Sequence, residues 1–111
     1  MTILDLSAGH YILINTFTVE PENAHALLKH LSKATKDIFQ HAPGFVSANL
    51  HLSADCTRVA NYAQWRSRED YLTAVKNPET EAHMREAASY ATAFDPIFYE
   101  LVETHLAKPA A

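Results

Sequence analysis

The sequence has 111 residues but one cysteine and two glycines, and its 13 acidic residues outnumber its 9 basic ones. The single cysteine, Cys56, cannot form a disulfide within the chain, which is typical of proteins in a reducing cytosol. The scarcity of glycine argues against a disordered, low-complexity chain. A net charge of −4 with scattered basic residues argues against a nucleic acid partner.

Several other signals are missing. The first residues include Asp5 and no basic segment, so we expect no secretory signal peptide. No apolar run approaches the roughly 20 residues of a membrane helix, so we expect no membrane partner and a cytoplasmic location. The chain has no glycine-rich phosphate loop and no nucleophile elbow around a serine. No histidine pair has an i, i+4 spacing, so we expect no metal site.

The remaining pattern predicts a single domain over residues 1–111, with its core at about residues 11–105. Alternating, β-branched and aromatic residues predict four strands, at residues 11–19, 45–52, 58–65 and 97–105. In the first strand, alternation places Tyr11, Leu13, Asn15 and Phe17 on one face. In the second, it groups Phe45 with Ser47, Asn49 and His51.

Helical spacing of apolar residues predicts a long helix from Ala24 to Phe39, after a start signal at residues 20–23. Ser67 and Asp70 form a pair resembling a capping box, which predicts a short helix over about residues 68–75. Asn77 and Pro78 predict the start of a further helix. Residues 1–9 read as a loose leader, and residues 107–111 read as a frayed tail.

The predicted order of elements is β-α-β-β-α-β. This order is typical of the α+β, ferredoxin-like fold, an antiparallel sheet with helices on one face. The other face would carry apolar residues such as Ile12, Ile14 and Val46, which a monomer would leave in contact with water. We therefore expect a homodimer that packs sheet on sheet.

One stretch, from Asn61 to Tyr71, combines a strand with the start of a helix. Alternation places Val59, Asn61, Ala63 and Trp65 on one face, which is apolar except for one amide. Tyr71 follows on the first turns of the helix. An Asn, a Trp and a Tyr could therefore converge where the sheet meets the helix.

These side chains also have structural interpretations. For Asn61 a role in a functional site is favoured, because Asn is uncommon in strands and a buried amide needs hydrogen-bond partners. Trp65 can instead be a simple core residue, and Tyr71 is compatible with either role. Asn15 could bond a neighbouring backbone group, and Arg85 taken alone is typical of a solvated helix position.

Three motifs together carry a resemblance to a known family. The first is Asn61-Tyr62-Ala63-Gln64-Trp65, which continues through Ser67 to Tyr71. The other two are Pro43-Gly44-Phe45 and His83-Met84-Arg85-Glu86-Ala87. From about Tyr11 to His105 the sequence resembles the antibiotic biosynthesis monooxygenase family, whose members are dimeric α+β barrels. It looks most similar to the small enzymes that oxidise anthrones to quinones. These enzymes use dioxygen and need neither metal nor flavin.

The resemblance implies a cofactor-independent monooxygenase acting on a small anthrone-like or hydroquinone-like aromatic substrate. It implies that Asn61, Trp65, Tyr71 and Arg85 line the substrate cavity. In this interpretation Trp65 is an apolar wall, Asn61 and Arg85 stabilise the substrate anion, and Tyr71 bonds a substrate oxygen. Either His83 or His51 could accept the proton, and the sequence does not choose between them.

The sequence leaves two alternative functions open. The family also contains haem-degrading oxygenases, and Asn15 and His83 could fill the places of their Asn and His. The place of their Trp, however, is held by a small residue near Ala74, which counts against haem. The other alternative is a dimeric protein that binds an aromatic metabolite without turning it over.

Overall fold

A four-stranded antiparallel sheet organises the chain in a computed structural model that describes residues 1–109. Its strands are β1 Tyr11–Thr18, β2 Phe45–Leu52, β3 Arg58–Trp65 and β4 Ala93–Tyr99. They lie in the order β2-β3-β1-β4, and each neighbouring pair is antiparallel. This order, with helical connections after β1 and β3, confirms the predicted α+β, ferredoxin-like fold.

Within the described residues the α-helices are α1 Ala24–Asp37, α2 Arg68–Val75 and α3 Pro78–Ser89. Two of the predicted helix starts are confirmed by their side-chain hydrogen bonds. Ser67 Oγ accepts the Asp70 N–H at 3.1 Å, and Asn77 Oδ1 accepts the Glu79 N–H at 2.9 Å. Because each helix has its own N-cap, only two residues separate the end of α2 from the start of α3.

The first helix is shorter than the sequence predicts. Asn23 makes no side-chain cap, and residues Pro21–Asn23 form a separate 3-10 turn before Ala24. At the other end, Ile38 leaves the helical conformation with φ −122° and ψ −64°, and Phe39–His41 form another 3-10 turn. The apolar residues that predicted one helix from Ala24 to Phe39 therefore extend beyond α1 into the 3-10 turn that follows it.

The last strand was predicted wrongly, because it runs from Ala93 to Tyr99 and not from Ile97 to His105. Pro96, which lies outside the predicted strand, lies within the observed one, opposite Asn15 of β1. Proline is tolerated here because β4 is one of the two edge strands of the sheet that the structure describes, with a neighbour on one side only. Residues 100–109 form no regular element, and the last two residues of the predicted tail and domain lie outside the described part of the chain.

One face of the sheet, which we call the inner face, packs against the helices. Phe17 of β1 and Val59 of β3 form a core with Leu27 of α1 and Ala87 of α3. The predicted grouping of Val59 with Asn61, Ala63 and Trp65 agrees with the strand register, in which these residues oppose Phe17, Asn15, Leu13 and Tyr11. The apolar pairs of this face remove hydrocarbon from water and hold α1 and α3 on the sheet.

A bulge in β2 corrects the predicted grouping of Phe45 with Ser47. Phe45 pairs with Trp65, whereas Ser47 pairs with Gln64, so the register shifts between them. The extra residue places Phe45 on the inner face, where its ring meets Trp65 edge-on at 5.3 Å.

The first residues are not the loose leader that the sequence predicts. They cross the other face of the sheet, which we call the outer face. Thr2 Oγ1 donates to Asn49 Oδ1 at 2.5 Å, and Gln64 Nε2 donates to the Ile3 carbonyl at 3.0 Å. Gln64 is only 1% exposed as a result. None of the helices in residues 1–109 is long and apolar enough to cross a membrane.

Gly44 controls the entry into β2. Its φ of +83° is left-handed, and a Cβ on it would overlap the side chain of Asp70 in α2. Its carbonyl accepts the Arg66 N–H at 2.8 Å, which links this turn to the end of β3. The absence of a side chain at residue 44 therefore lets α2 lie close to the sheet.

We expect Gly44→Ala to lower the free energy of unfolding by about 3 kcal/mol, from left-handed strain plus overlap with Asp70. Gly9→Ala is the matched control, because Gly9 has φ +61° but nothing within 4 Å of a Cβ. It should cost only about 1 kcal/mol, from backbone strain alone. Urea unfolding of the two variants measures both values. Equal losses would show that the approach of α2 does not depend on Gly44.

Candidate active site

Two asparagines face the helices from adjacent strands. Asn15 of β1 lies directly opposite Asn61 of β3 in the sheet register. Each is half-buried, and each has its Oδ1 atom buried without a hydrogen-bond partner among the residues that the structure describes. A buried acceptor without a partner costs about 1–3 kcal/mol. Two of them side by side on a helix-covered face indicate a ligand site.

An aromatic cluster begins at the end of β3. Trp65 is 2% exposed and meets the rings of Phe39, Phe45 and Tyr71 edge-on, at centroid distances of 6.1, 5.3 and 5.7 Å. Edge-to-face contacts in this range are favourable because a positive ring edge meets a negative ring face. Trp65 is therefore held in one orientation on the inner face.

Tyr71 extends the aromatic cluster towards the sheet edge. Its ring contacts Phe98 of β4 at 5.2 Å and Tyr11 of β1 at 6.2 Å, and Tyr11 stacks on Phe98 at 4.8 Å. Burial raises the pKa of the Tyr71 phenol, and the neighbouring Tyr11 raises it further. Tyr71 therefore stays protonated at neutral pH and can donate a hydrogen bond.

The amide pair and the aromatic cluster share the inner face. Trp65 lies four residues beyond Asn61 on the same strand, a distance of about 13 Å at the usual rise of a strand. Between them lie Ala63 and, opposite it, Leu13. The amides and Trp65 are thus separated by an apolar stretch of the same face.

The structure thus brings four of the predicted site residues, Asn15, Asn61, Trp65 and Tyr71, to one face of the sheet. His51 does not join them: it is exposed, and its ring nitrogen Nδ1 lies 3.0 Å from the Asn49 carbonyl. Its register partner is Ala60, which alternates with Asn61, so His51 lies on the outer face.

The two predicted site residues of α3 differ in their surroundings. The Arg85 side chain is 74% exposed and pairs with Glu81 one turn away, at 3.0 Å. His83 is half-buried, its ring lies 5.2 Å from that of His30, and its Nδ1 atom is buried without a partner in the described chain. Of these two residues, His83 is the better shielded from solvent.

Sequence reasoning missed part of the aromatic cluster. Phe98 was inside the predicted last strand, but only the observed register, in which Leu13 pairs with Phe98, places it beside Tyr11. Phe45 was missed because the bulge in β2 is invisible to a strict alternation. His30 was missed because its contacts with α3 join residues 53 positions apart.

If the Asn15 and Asn61 amides bind a ligand and do not stabilise the fold, replacing them should not lower the free energy of unfolding. We expect Asn61→Leu and Asn15→Leu to leave the free energy of unfolding unchanged or to raise it by about 1 kcal/mol, since an unpartnered acceptor disappears. Equilibrium unfolding in urea measures this change.

Asn49→Leu is the control for this experiment. The Asn49 amide donates to the Tyr62 carbonyl at 2.9 Å and to Ser47 Oγ at 3.2 Å, so its loss should cost about 1–2 kcal/mol. A loss of similar size for Asn61→Leu would mean that Asn61 has a structural partner.

Comparison with known proteins gives these features a context. The sequence model of the family described as "Antibiotic biosynthesis monooxygenase" matches residues 10–86. The chain is 38% identical over 104 residues to tetracenomycin-F1 monooxygenase of Streptomyces glaucescens, and the match covers 94% of this chain and 92% of that protein.

Solved structures agree with the sequence comparison. A monooxygenase from the gene ActVA-Orf6 of Streptomyces coelicolor, in complex with the ligand nanaomycin D, superposes with a TM-score of 0.79 at 27% identity, over 92% of this chain and 96% of that one. SnoaB of Streptomyces nogalater, a cofactor-independent oxygenase, has a TM-score of 0.72 at 19% identity, over 86% and 96% of the chains. At that identity SnoaB supports the fold alone.

Proposed function

This chain belongs to the antibiotic biosynthesis monooxygenase family, and we propose that it uses dioxygen to oxidise an anthrone-like or hydroquinone-like aromatic compound to a quinone. The observation that carries the proposal is the pair of opposed amides, Asn15 and Asn61, with two buried oxygen atoms that accept no hydrogen bond within the described chain. They lie on the same face as an aromatic cluster.

The relatives support this class of substrate. The 38% identical protein is a monooxygenase named for tetracenomycin F1, and the ActVA-Orf6 monooxygenase binds nanaomycin D. We also propose that the reaction needs neither metal nor flavin, because the substrate itself can supply the electrons.

The substrate can supply the electrons that a flavin would otherwise supply. Loss of a proton from the anthrone CH₂ group gives an electron-rich enolate, which passes one electron to dioxygen. The two radicals combine to a peroxide, and the peroxide loses water to leave the quinone. One oxygen atom of O₂ enters the product and the other leaves as water, so the reaction balances without an external reductant.

The Asn15–Asn61 amide pair would favour the first step, in which the substrate loses a proton to form the enolate. Each Nδ2–H₂ group can donate to the oxygen on which the enolate charge develops, while each Oδ1 can accept from a phenol hydroxyl. A hydrogen bond to a charged group contributes about 1.5–3 kcal/mol, and about 1.4 kcal/mol corresponds to a factor of ten. The two amides together can therefore shift the proton equilibrium by two or more orders of magnitude.

The other residues have supporting roles in this proposal. Trp65 is 2% exposed and fixed by its edge-on contacts, so it would support Tyr71 from behind. Tyr71 would donate a hydrogen bond to the substrate from a phenol that stays neutral. We assign the proton acceptor to His83, because His51 lies on the outer face. Arg85 would stabilise the anion only after exchanging Glu81 for the substrate.

The test mixes chelator-treated protein with an anthrone in air and follows quinone absorbance and oxygen uptake together. We expect equal amounts of quinone formed and oxygen consumed, at a rate well above that of buffer. Asn61→Ala and Asn15→Ala should each lower the rate by about tenfold or more. His25→Gln on the exposed side of α1 is the control and should leave the rate unchanged.

Two outcomes would contradict the proposal. Tight binding of the anthrone without quinone formation would identify a binding protein that does not turn its ligand over. A Soret band on titration with haemin, together with no anthrone oxidation, would identify a haem protein.

We also propose a homodimer in the cytoplasm. All seven residues of β4 are exposed, including Ile97 at 41% and Tyr99 at 47%, and such an apolar edge is unfavourable in water. The N-terminal segment covers only part of the outer face, over β2 and β3. The single cysteine, which is free, supports a reducing compartment.

Sedimentation at micromolar concentration should therefore give twice the chain mass of 12.4 kDa. Ile97→Asp on β4 should shift the protein towards a single chain, because it places a charge in the contact. Met84→Asp is the control, since Met84 is 47% exposed on α3, away from the sheet edge. A wild-type protein that sediments as a single chain would overturn the proposal.

A further inference from the structure

A group of three ligand-type side chains joins α1 to α3. His30 comes from α1, and His83 and Glu86 come from successive turns of α3. One nitrogen or oxygen atom of each lies within 4.8 Å of the others. His30 is 8% exposed and the Glu86 side chain is 56% exposed, so the group has a buried end and an end open to solvent. We propose that it binds a divalent transition-metal ion of the Zn²⁺ type.

The hydrogen bond of His30 prepares its ring for a metal. Its Nε2 lies 2.8 Å from the His83 carbonyl oxygen, and because a carbonyl can only accept, Nε2 carries the proton. In the neutral ring the lone pair is then on Nδ1. A histidine that binds a metal through one nitrogen usually donates from the other to a carbonyl or carboxylate, which fixes its tautomer and orientation.

The free nitrogen of His30 faces a carboxylate. His30 Nδ1 lies 3.4 Å from Glu86 Oε2. Two ligand atoms bound at about 2.0–2.1 Å to one tetrahedral zinc ion are about 3.3 Å apart. In the neutral tautomer these two atoms are both acceptors and repel each other. A cation bound by both would remove this repulsion.

His83 supplies the third ligand. Its ring centroid lies 5.2 Å from that of His30, with the planes 28° apart. Two imidazoles bound to one tetrahedral ion have centroids about 5 Å apart, given zinc–nitrogen bonds of about 2.0–2.1 Å. The Nδ1 atom of His83 is buried and has no hydrogen-bond partner in residues 1–109, so no other group in this part of the chain competes for it.

The donor set selects the class of ion. Two imidazoles and one carboxylate suit Zn²⁺ and the later first-row metals, whereas Mg²⁺ and Ca²⁺ prefer sets of oxygen atoms. The bound ion would reinforce the contact between two helices that already meet at His30 and His83. Because His83 is the proposed proton acceptor, the ion would slow substrate oxidation; this consequence rests on the proposed function, whereas the binding does not.

The test titrates chelator-treated, full-length protein with ZnCl₂ in a calorimeter, and with CoCl₂ in a spectrophotometer. We expect one ion per chain at micromolar or lower concentration. The Co²⁺ form should show the intense visible bands of four-coordinate cobalt. Zn²⁺ should also raise the midpoint of thermal unfolding, because it binds only the folded site.

Glu86→Gln is the decisive variant, because Glu86 is largely exposed and its change should leave the fold intact. It should weaken Zn²⁺ binding by more than about tenfold, since even the loss of an outer-shell partner costs about 10–100-fold. Glu79→Gln removes the same charge from the exposed first turn of the same helix and should leave binding unchanged. His83→Gln should abolish the visible Co²⁺ bands.

Three results would overturn the metal site. The first is the absence of Zn²⁺ binding up to millimolar concentration, which would leave His30 and Glu86 as an ordinary ion pair between imidazolium and carboxylate. The second is equal weakening by Glu86→Gln and Glu79→Gln, which would indicate attraction by net charge alone. The third is loss of binding in His25→Gln, which would place the ion on the exposed side of α1.

Discussion

The register between β1 and β3 is the constraint on which the rest of this structure depends. It sets Phe17 opposite Val59 and Asn15 opposite Asn61, all on the face that α1 and α3 cover. Because side chains alternate, a slip of one residue in either strand would send its whole set to the outer face. The apolar pair at one end of the ladder therefore also holds the two amides in place, so core packing and the candidate site share one cause.

One part of the inner face stabilises the fold, whereas another part lowers the free energy of unfolding. Leu27 and Val59, both 0% exposed, belong to one apolar core cluster. Two residues further along β3, the amides leave two buried acceptors without a partner. The nearby apolar burial can offset that penalty, because burying one large side chain contributes about 1.5–3 kcal/mol. Such a local loss of stability is common where a protein binds a ligand.

Much of the fold could be predicted because its signals are local. Ser67 and Asn77 start helices through bonds to residues two or three positions away, so the sequence alone reveals them. The errors involve partners that are distant in sequence. Pro96 is tolerated in β4 because, within residues 1–109, no strand pairs with its far side. The N-terminal segment is ordered by Asn49 and Gln64, which are 47 and 61 residues away from their partners.

The sequence by itself determined the order of the elements, the face shared by Asn61 and Trp65, and the family resemblance. These follow from the period of two along a strand and from helix caps, which act within a few residues. Only the tertiary structure decided that Asn15 lies opposite Asn61, that His51 lies on the outer face, and that His30 meets His83 and Glu86. Those contacts depend on strand register and on how α1 packs beside α3, and no local pattern encodes the packing of distant segments.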